Sequence, residues 1–220
     1  MDKNEARAAV AQMGRTLIKK QLVAGSWGNI SCRTDAGCIA ITPSGRGYEG
    51  LEAEDIVILD AAGAVVDGRH IPSSESRLHT AIYTAYPAAQ AIIHTHSIYA
   101  SALAAMRQEV PAIIEDIVQI IGGRVSCAAY AMCGTQQLAD NAVAALDGRK
   151  AALLANHGAV CWGTSLADAL MVAEILEKAA QIAVICQSTG GRMHELDAAE
   201  ACAMHTFYEQ HYAKRQRGEE

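Results

Sequence analysis

The chain lacks several features that would assign it to a membrane or to secretion. No apolar stretch among its 220 residues reaches the roughly 18 residues that a membrane-spanning helix requires. The N-terminus begins Met-Asp-Lys-Asn-Glu, which is too polar for a secretory signal. We therefore expect a cytoplasmic protein that does not act at a membrane.

Basic patches and paired cysteine motifs are also missing. The net charge is −6, and the one dense basic cluster lies at the tail, in residues 214–217, so a nucleic-acid partner is not expected. The seven cysteines contain no CxxC spacing, and an odd number cannot all pair. The simplest interpretation is a reduced protein in which most cysteines are small core residues.

No nucleotide-binding motif is present either. The chain has no P-loop, and no GxGxxG motif opens a helix after a strand, so a nucleotide cofactor is not supported. The two tryptophans, Trp27 and Trp162, are expected to fill apolar space rather than to stack on a ligand.

The patterns that are present predict a single α/β domain covering residues 1–220. Apolar runs bounded by turn residues predict strands at 29–33, 38–42, 56–59, 64–66, 91–95, 125–128, 151–154 and 159–162. Helical spacing predicts helices at 4–22, 75–86, 98–106, 113–121, 136–146, 165–187 and 195–212. Hairpins alternating with helices favour a three-layer α/β/α domain with a largely antiparallel central sheet, rather than a doubly wound parallel one.

Three histidines stand next to apolar runs. His94 and His96 end the run at 91–93, and side chains at i and i+2 of a strand point to the same face. His157 follows the apolar run at 151–155. Because strand ends are where loops assemble chemical sites, we expect these imidazoles to converge.

Glu75 supplies a carboxylate to the same hypothesis. Three neutral imidazoles and one carboxylate are a plausible ligand set for a divalent metal, with zinc as the first choice. His79 lies four residues after Glu75, on the same face of the predicted helix. It is therefore either a rival ligand or a residue that supports a ligand.

Loops of small polar residues form a second group of candidates, at 25–29, 42–45 and 72–74. Their hydroxyls and backbone N–H groups are suited to binding a phosphate, which indicates an anionic substrate. Glu115 is a further candidate for catalysis, because it and Asp116 interrupt an otherwise apolar run.

The order of these motifs resembles that of the class II aldolase/adducin family, and in particular its ketose-1-phosphate aldolases. The resemblance covers residues 4–190. It rests on Gly25-Ser26-x-Gly28-Asn29-Ile30-Ser31, Ile41-Thr42-Pro43-Ser44-Gly45, Pro72-Ser73-Ser74-Glu75, His94-x-His96 and Asn156-His157-Gly158. It implies an α/β fold and a homotetramer with active sites between subunits.

Carried over to this chain, the resemblance also implies residue roles. His94, His96 and His157 would bind zinc, and Glu75 would be both the fourth ligand and the acid/base group. The phosphate would be held by Ser26, Asn29, Ser44, Gly45, Ser73 and Ser74. The expected reaction is cleavage of a ketose 1-phosphate to dihydroxyacetone phosphate and an aldehyde. The substrate would be L-fuculose 1-phosphate or a 5-deoxy- or 5-methylthio-pentulose 1-phosphate.

One position departs from the family pattern. Glu115 stands where fuculose aldolases carry a tyrosine that reaches the site across the subunit interface, and it is expected to donate a proton to the aldehyde-forming oxygen. Tyr208 or Tyr212 could close over the site.

Three alternatives to the aldolase stay open. They are a methylthioribulose-1-phosphate dehydratase, a pentulose-phosphate 4-epimerase and a non-catalytic adducin-like interaction module. The module is disfavoured because all four metal-binding residues are kept. A structural zinc site is also often rich in sulfur, and none of the histidine motifs contains a cysteine.

Overall fold

Eight strands form one continuous sheet at the centre of the structure, a computed structural model that describes residues 1–216. The strands are Asn29–Arg33 (β1), Ile39–Ile41 (β2), Val57–Leu59 (β3), Val65–Asp67 (β4), Ala91–Thr95 (β5), Cys127–Ala128 (β6), Ala151–Leu154 (β7) and Gly158–Gly163 (β8). Their order is β4-β3-β2-β1-β5-β8-β7-β6. Neighbouring strands are antiparallel except for β6 and β7, which are parallel. The expected largely antiparallel sheet is confirmed.

Helices flank this sheet. They are Lys3–Lys19 (α1), Ser76–Ala85 (α2), Ile98–Met106 (α3), Glu115–Ile121 (α4), Gln136–Leu146 (α5), Leu166–Ser188 (α6), Ala198–Phe207 (α7) and Ala213–Gln216 (α8). Arg217, the last residue of the predicted basic cluster, lies outside the described residues. Within residues 1–216, no helix combines the length and the apolar character of a membrane span.

The alternation of buried residues along each strand divides the core into two layers. In β5, Ile93 packs in a cluster with residues of α1, α3, α4 and α6. Its neighbour Ile92 packs on the opposite face with residues of α2 and α5. Because successive strand residues point to opposite faces, both faces of the sheet are covered. The three-layer α/β/α architecture is therefore confirmed.

Helix α4 and strand β6 each begin two residues later than the sequence predicts, and local backbone explains both. Ile114 has an extended backbone with φ −137°, so α4 begins at Glu115 rather than at 113. Val125 pairs with Val110 in an isolated bridge, so β6 is limited to Cys127–Ala128.

The C-terminal helical segment, predicted at 195–212, covers 198–216 in the structure and has three parts. Asp197 caps α7 by accepting hydrogen bonds from the backbone N–H groups of the next turn, so the helix begins at Ala198. A π-helical turn, Tyr208–Tyr212, then connects α7 to α8.

Strand pairing gathers the candidate residues at one end of the sheet. Asn29, at the start of β1, lies opposite His94 near the end of β5. Thr95 lies opposite Ala159 at the start of β8. Three central strands thus meet where the predicted motifs begin or end.

Two glycines allow the backbone to approach β5 closely at this end. A Cβ atom at Gly28, where φ is +105°, would lie 2.7 Å from the carbonyl oxygen of His94. A Cβ at Gly158 would lie 2.2 Å from the carbonyl oxygen of Thr95. Both distances are shorter than a non-bonded contact permits, so neither position accepts a larger residue without local rearrangement.

Candidate functional site

The four residues singled out as metal ligands come together in the structure. The rings of His94, His96 and His157 stand 4.7 to 4.9 Å apart, centroid to centroid. Their potential ligand atoms all lie within 4.8 Å of one another. Glu75, just before α2, places Oε2 3.1 Å from Nε2 of His94 and Oε1 3.7 Å from Nε2 of His157.

Hydrogen bonds orient two of these side chains. Nδ1 of His94 lies 2.9 Å from the Ala159 carbonyl oxygen and donates to it, which turns Nε2 toward the cluster. The amide nitrogen of Asn29 donates to Glu75 Oε2 over 2.9 Å. Glu75 is only 4% exposed, yet its Oε1 has no hydrogen-bond partner among residues 1–216.

A buried carboxylate oxygen without a partner is unfavourable unless a cation satisfies it. The unpartnered Oε1 of Glu75 lies 3.7 Å from Nε2 of His157, a member of the three-imidazole cluster, and nitrogen and oxygen donors of this kind bind divalent transition metals. The residues present therefore fit a metal ion.

Charges within the cluster shift the pKa values. Burial alone would raise the pKa of Glu75, but His94, His157 and Asn29 outweigh burial and hold it well below its usual range. Burial opposes protonation of His94, but Glu75 outweighs it and raises the His94 pKa. Burial lowers the pKa of His96 and of His157 to about 4 each, aided by the charge of His94. Both rings are thus neutral at pH 7, the state in which imidazole binds a metal.

His79 supports the cluster rather than joining it. Its Nε2 bonds Oδ1 of Asn29, and its Nδ1 lies 2.6 Å from Oγ of Ser31, which is 2.8 Å from the Tyr83 hydroxyl. Because the amide nitrogen of Asn29 donates to Glu75, Oδ1 of Asn29 accepts a hydrogen bond from Nε2 of His79. Nδ1 of His79 is then unprotonated and accepts from the Ser31 hydroxyl. Burial lowers the His79 pKa to about 3, so the ring stays neutral. With both ring nitrogens engaged, the alternative of His79 as a rival ligand is not supported.

The three small-residue loops line a cleft of about 290 Å³ beside the histidines. Its walls include all six residues predicted to bind phosphate: Ser26, Asn29, Ser44, Gly45, Ser73 and Ser74. Two of them have further contacts. The Asn29 side chain is bonded at both ends, to Glu75 and to His79, and the Ser73 hydroxyl accepts from the Glu75 backbone N–H over 3.2 Å.

Trp27 was not expected at the site. Its side chain is 67% exposed and lies at the cleft, with its ring 5.8 Å from that of His96. The prediction that Trp27 fills apolar space is therefore wrong, because the glycine-rich turn around it projects the ring outward. Trp162, at 7% exposure, is buried as predicted.

Cys133 is the second residue that the sequence did not reveal. Its thiol lines the cleft, and its sulfur lies within 4.8 Å of potential ligand atoms of Glu75 and His157. Burial raises the pKa of this thiol. Among the other cysteines, Cys32 and Cys161 are buried in the core, Cys38 and Cys127 are half-buried and pack against it, and Cys202 is exposed like Cys133.

Glu115 and the two C-terminal tyrosines do not line the cleft. Glu115 is exposed at the first position of α4. Tyr208 is buried, with its hydroxyl 3.7 Å from the sulfur of Met171, and Tyr212 is 51% exposed. Within one copy of the chain, none of the three reaches the cluster.

The structure is that of a three-layer α/β protein. Its histidine and glutamate cluster could hold a metal, and the serine-lined cleft beside that cluster is suited to an anionic ligand. The family model of the Class II Aldolase and Adducin N-terminal domain matches residues 8–184. The chain belongs to this family, as its motifs indicated.

Relatives within the family include proteins named as aldolases. The chain is 38% identical over 185 residues to 5-deoxy-D-ribulose 1-phosphate aldolase of Bacillus thuringiensis serovar kurstaki, covering 84% of this chain and 86% of the relative. It is 35% identical over 182 residues to L-fuculose phosphate aldolase of Escherichia coli strain K12, covering 83% and 84%. A solved L-fuculose 1-phosphate aldolase superposes with a TM-score of 0.90 at 34% identity, covering 93% of this chain and 96% of that one. The chain is thus an enzyme of the class II aldolase type, a lyase.

Proposed function

We propose that the enzyme is a zinc-dependent aldolase that cleaves a ketose 1-phosphate to dihydroxyacetone phosphate and an aldehyde. The observation that carries this proposal is the buried, unpartnered Oε1 of Glu75, which lies 3.7 Å from His157 of the three-imidazole cluster, beside a serine-lined cleft. The relatives named above act on ketose 1-phosphates. The substrate is L-fuculose 1-phosphate or a 5-deoxy- or 5-methylthio-pentulose 1-phosphate.

The metal-binding residues are His94, His96, His157 and Glu75. Zinc bound there supplies a Lewis acid that polarises the substrate carbonyl and stabilises the negative charge that develops when the C3–C4 bond breaks. The hydrogen bond from His94 to Ala159 keeps that ring in the tautomer that presents Nε2.

The phosphate is held by Ser26, Asn29, Ser44, Gly45, Ser73 and Ser74. Their position around one cleft supports this role, because hydroxyls and backbone N–H groups are good donors to phosphate oxygens. Asn29 contributes through its second amide hydrogen, since the first is bonded to Glu75.

Glu75 transfers the proton at C3. Asn29 holds its Oε2, and Oε1 carries no hydrogen bond, so one oxygen is fixed, while Oε1 is the atom that would bind the metal and, once the substrate takes its place there, would transfer the proton. The lowered pKa keeps Glu75 ionised in the metal-free protein. The ionised carboxylate is the form that removes the C3 proton of dihydroxyacetone phosphate in the reverse, condensation direction, and by microscopic reversibility the protonated form returns that proton to C3 on cleavage.

Glu115 transfers the proton of the oxygen that becomes the aldehyde. Its exposure at the start of α4 supports a role in a neighbouring cleft of a homotetramer, with each active site completed across a subunit interface. Tyr212, half exposed near the C-terminus, is the better placed of the two tyrosines to close over such a site. Glu115→Gln should lower the turnover number without changing metal content, and an unchanged turnover number would remove Glu115 from the reaction.

A panel of ketose 1-phosphates tests the proposed reaction. Dihydroxyacetone phosphate is detected as NADH oxidation through glycerol-phosphate dehydrogenase. We expect a signal that a chelator abolishes and zinc restores, and that His94→Ala lacks. A diketo product would identify the dehydratase instead, and C4 inversion without dihydroxyacetone phosphate would identify the epimerase. Metal binding without turnover of any sugar would favour the interaction module.

A further inference from the structure

The loop that carries Cys133 is fixed against the predicted phosphate-binding residues. Gly134 adopts a φ of +76°, and a Cβ there would lie 2.9 Å from the Ser74 carbonyl oxygen. The Arg77 guanidinium donates to the Gly134 carbonyl oxygen over 3.4 Å. Thr135, the next residue, caps α5 with its hydroxyl. Contacts on the C-terminal side of Cys133 therefore hold its backbone beside the cleft.

The Cys133 thiol is close to two of the proposed metal-binding residues, Glu75 and His157. Its sulfur, one carboxylate oxygen of Glu75 and one ring nitrogen of His157 all lie within 4.8 Å of one another. The thiol also lines the same cleft as these two side chains. It is thus on the side of the cluster formed by Glu75 and His157.

A second observation points to a cation at this place. Glu75 is only 4% exposed, and its Oε1 has no hydrogen-bond partner among residues 1–216. The thiol therefore adjoins a buried carboxylate with one oxygen that no hydrogen bond satisfies, and a metal ion bound there would satisfy that oxygen. A thiol near such an oxygen has two possible states: it stays protonated, or it shares a metal ion with the carboxylate.

We propose that Cys133 is an additional ligand of the divalent metal, on the side of the ion shared by Glu75 and His157. This inference rests on the metal site of the proposed function and goes beyond its three histidines and one glutamate. Binding replaces the S–H bond by a sulfur–metal bond, and the proton passes to solvent. A thiolate in the ligand set favours Zn²⁺, Co²⁺ and Cd²⁺ over Mg²⁺ and Mn²⁺.

Cobalt spectroscopy tests this ligand independently of turnover. Co²⁺ is added to the metal-free enzyme, to Cys133→Ser and to Cys202→Ser. Cys202 is the matched control, because it is also exposed but belongs to α7. We expect visible d–d bands in all three proteins and a near-ultraviolet sulfur-to-cobalt charge-transfer band in the wild type and Cys202→Ser alone.

Each other outcome overturns the inference. Visible bands without a charge-transfer band in the wild type would leave the metal site intact and show that Cys133 does not bind. A charge-transfer band that survives in Cys133→Ser would place the sulfur on another residue. Absence of both bands would refute the proposed metal site and, with it, the role of Cys133.

Alkylation of the wild type provides a second measurement that does not depend on a variant. The rates at which iodoacetamide modifies Cys133 and Cys202 are followed by peptide mass spectrometry, with and without Zn²⁺. We expect zinc to slow modification of Cys133 by about tenfold or more, because a metal-bound thiolate is a poorer nucleophile than a free one, and to leave Cys202 unchanged. Equal rates for Cys133 with and without zinc would contradict the proposal.

Discussion

Replacement of His79 by phenylalanine tests the hydrogen-bonded chain that supports Glu75. His79 is completely buried and bonds Asn29 on one side and Ser31 on the other. In His79→Phe the Asn29 amide oxygen loses its partner, whereas the Ser31 hydroxyl can still bond Tyr83. A buried polar group left without a partner costs about 1–3 kcal/mol, and the lost bond to Ser31 adds about 1 kcal/mol. We expect the free energy of unfolding to fall by about 2–4 kcal/mol.

Tyr83→Phe is the matched control for this change. It removes only the terminal hydroxyl of the chain, so Ser31 keeps its bond to His79. The ring remains, along with its contact to the Arg33 guanidinium, 4.6 Å from the ring centroid. The expected loss is about 1 kcal/mol.

Urea unfolding of the metal-free proteins, followed by circular dichroism at one protein concentration, measures both losses. Equal m-values are needed for the comparison, because they show that the same surface is exposed on unfolding. A His79→Phe variant within about 0.5 kcal/mol of the wild type, the size of an ordinary surface substitution, would refute the hydrogen-bonded chain. Equal losses in the two variants would also refute it.

Three further predictions concern the metal cluster. Glu75→Gln should lower the turnover number about 100-fold or more, because it removes the proton-transferring group, yet keep much of its metal in elemental analysis, since three imidazoles remain. His94→Ala should lose both metal and activity, and full metal occupancy by elemental analysis would contradict its assignment as a ligand. In the metal-free protein, His79, His96 and His157 have pKa values lowered from 6.5 to about 3, 4 and 4, so the unfolded chain takes up protons first as the pH falls below 6.5. Melting temperatures should therefore decrease from pH 6.5 toward 4, because the raised pKa of His94 changes stability mainly above pH 6.5; a rise over this range would contradict the assigned neutral rings.

Local sequence patterns were sufficient to predict most of the fold and the residues that form the histidine and glutamate cluster. The alternation of strand residues placed His94 and His96 on one face, and turn residues located the antiparallel strand pairs. Glycine and serine spacing marked the loops that line the cleft. These features depend on periodicity within a few residues, and the sequence alone therefore predicts them.

The tertiary structure decided what depends on contacts between distant segments. The pairing of β5 with both β1 and β8 brings Asn29 and the turn that carries His157 to the end of one strand. The direction of the His79 ring follows from partners on β1, and the position of Cys133 follows from the packing of its loop on Ser74. No local period encodes such contacts, because they arise only when helices and strands far apart in the chain pack into one core.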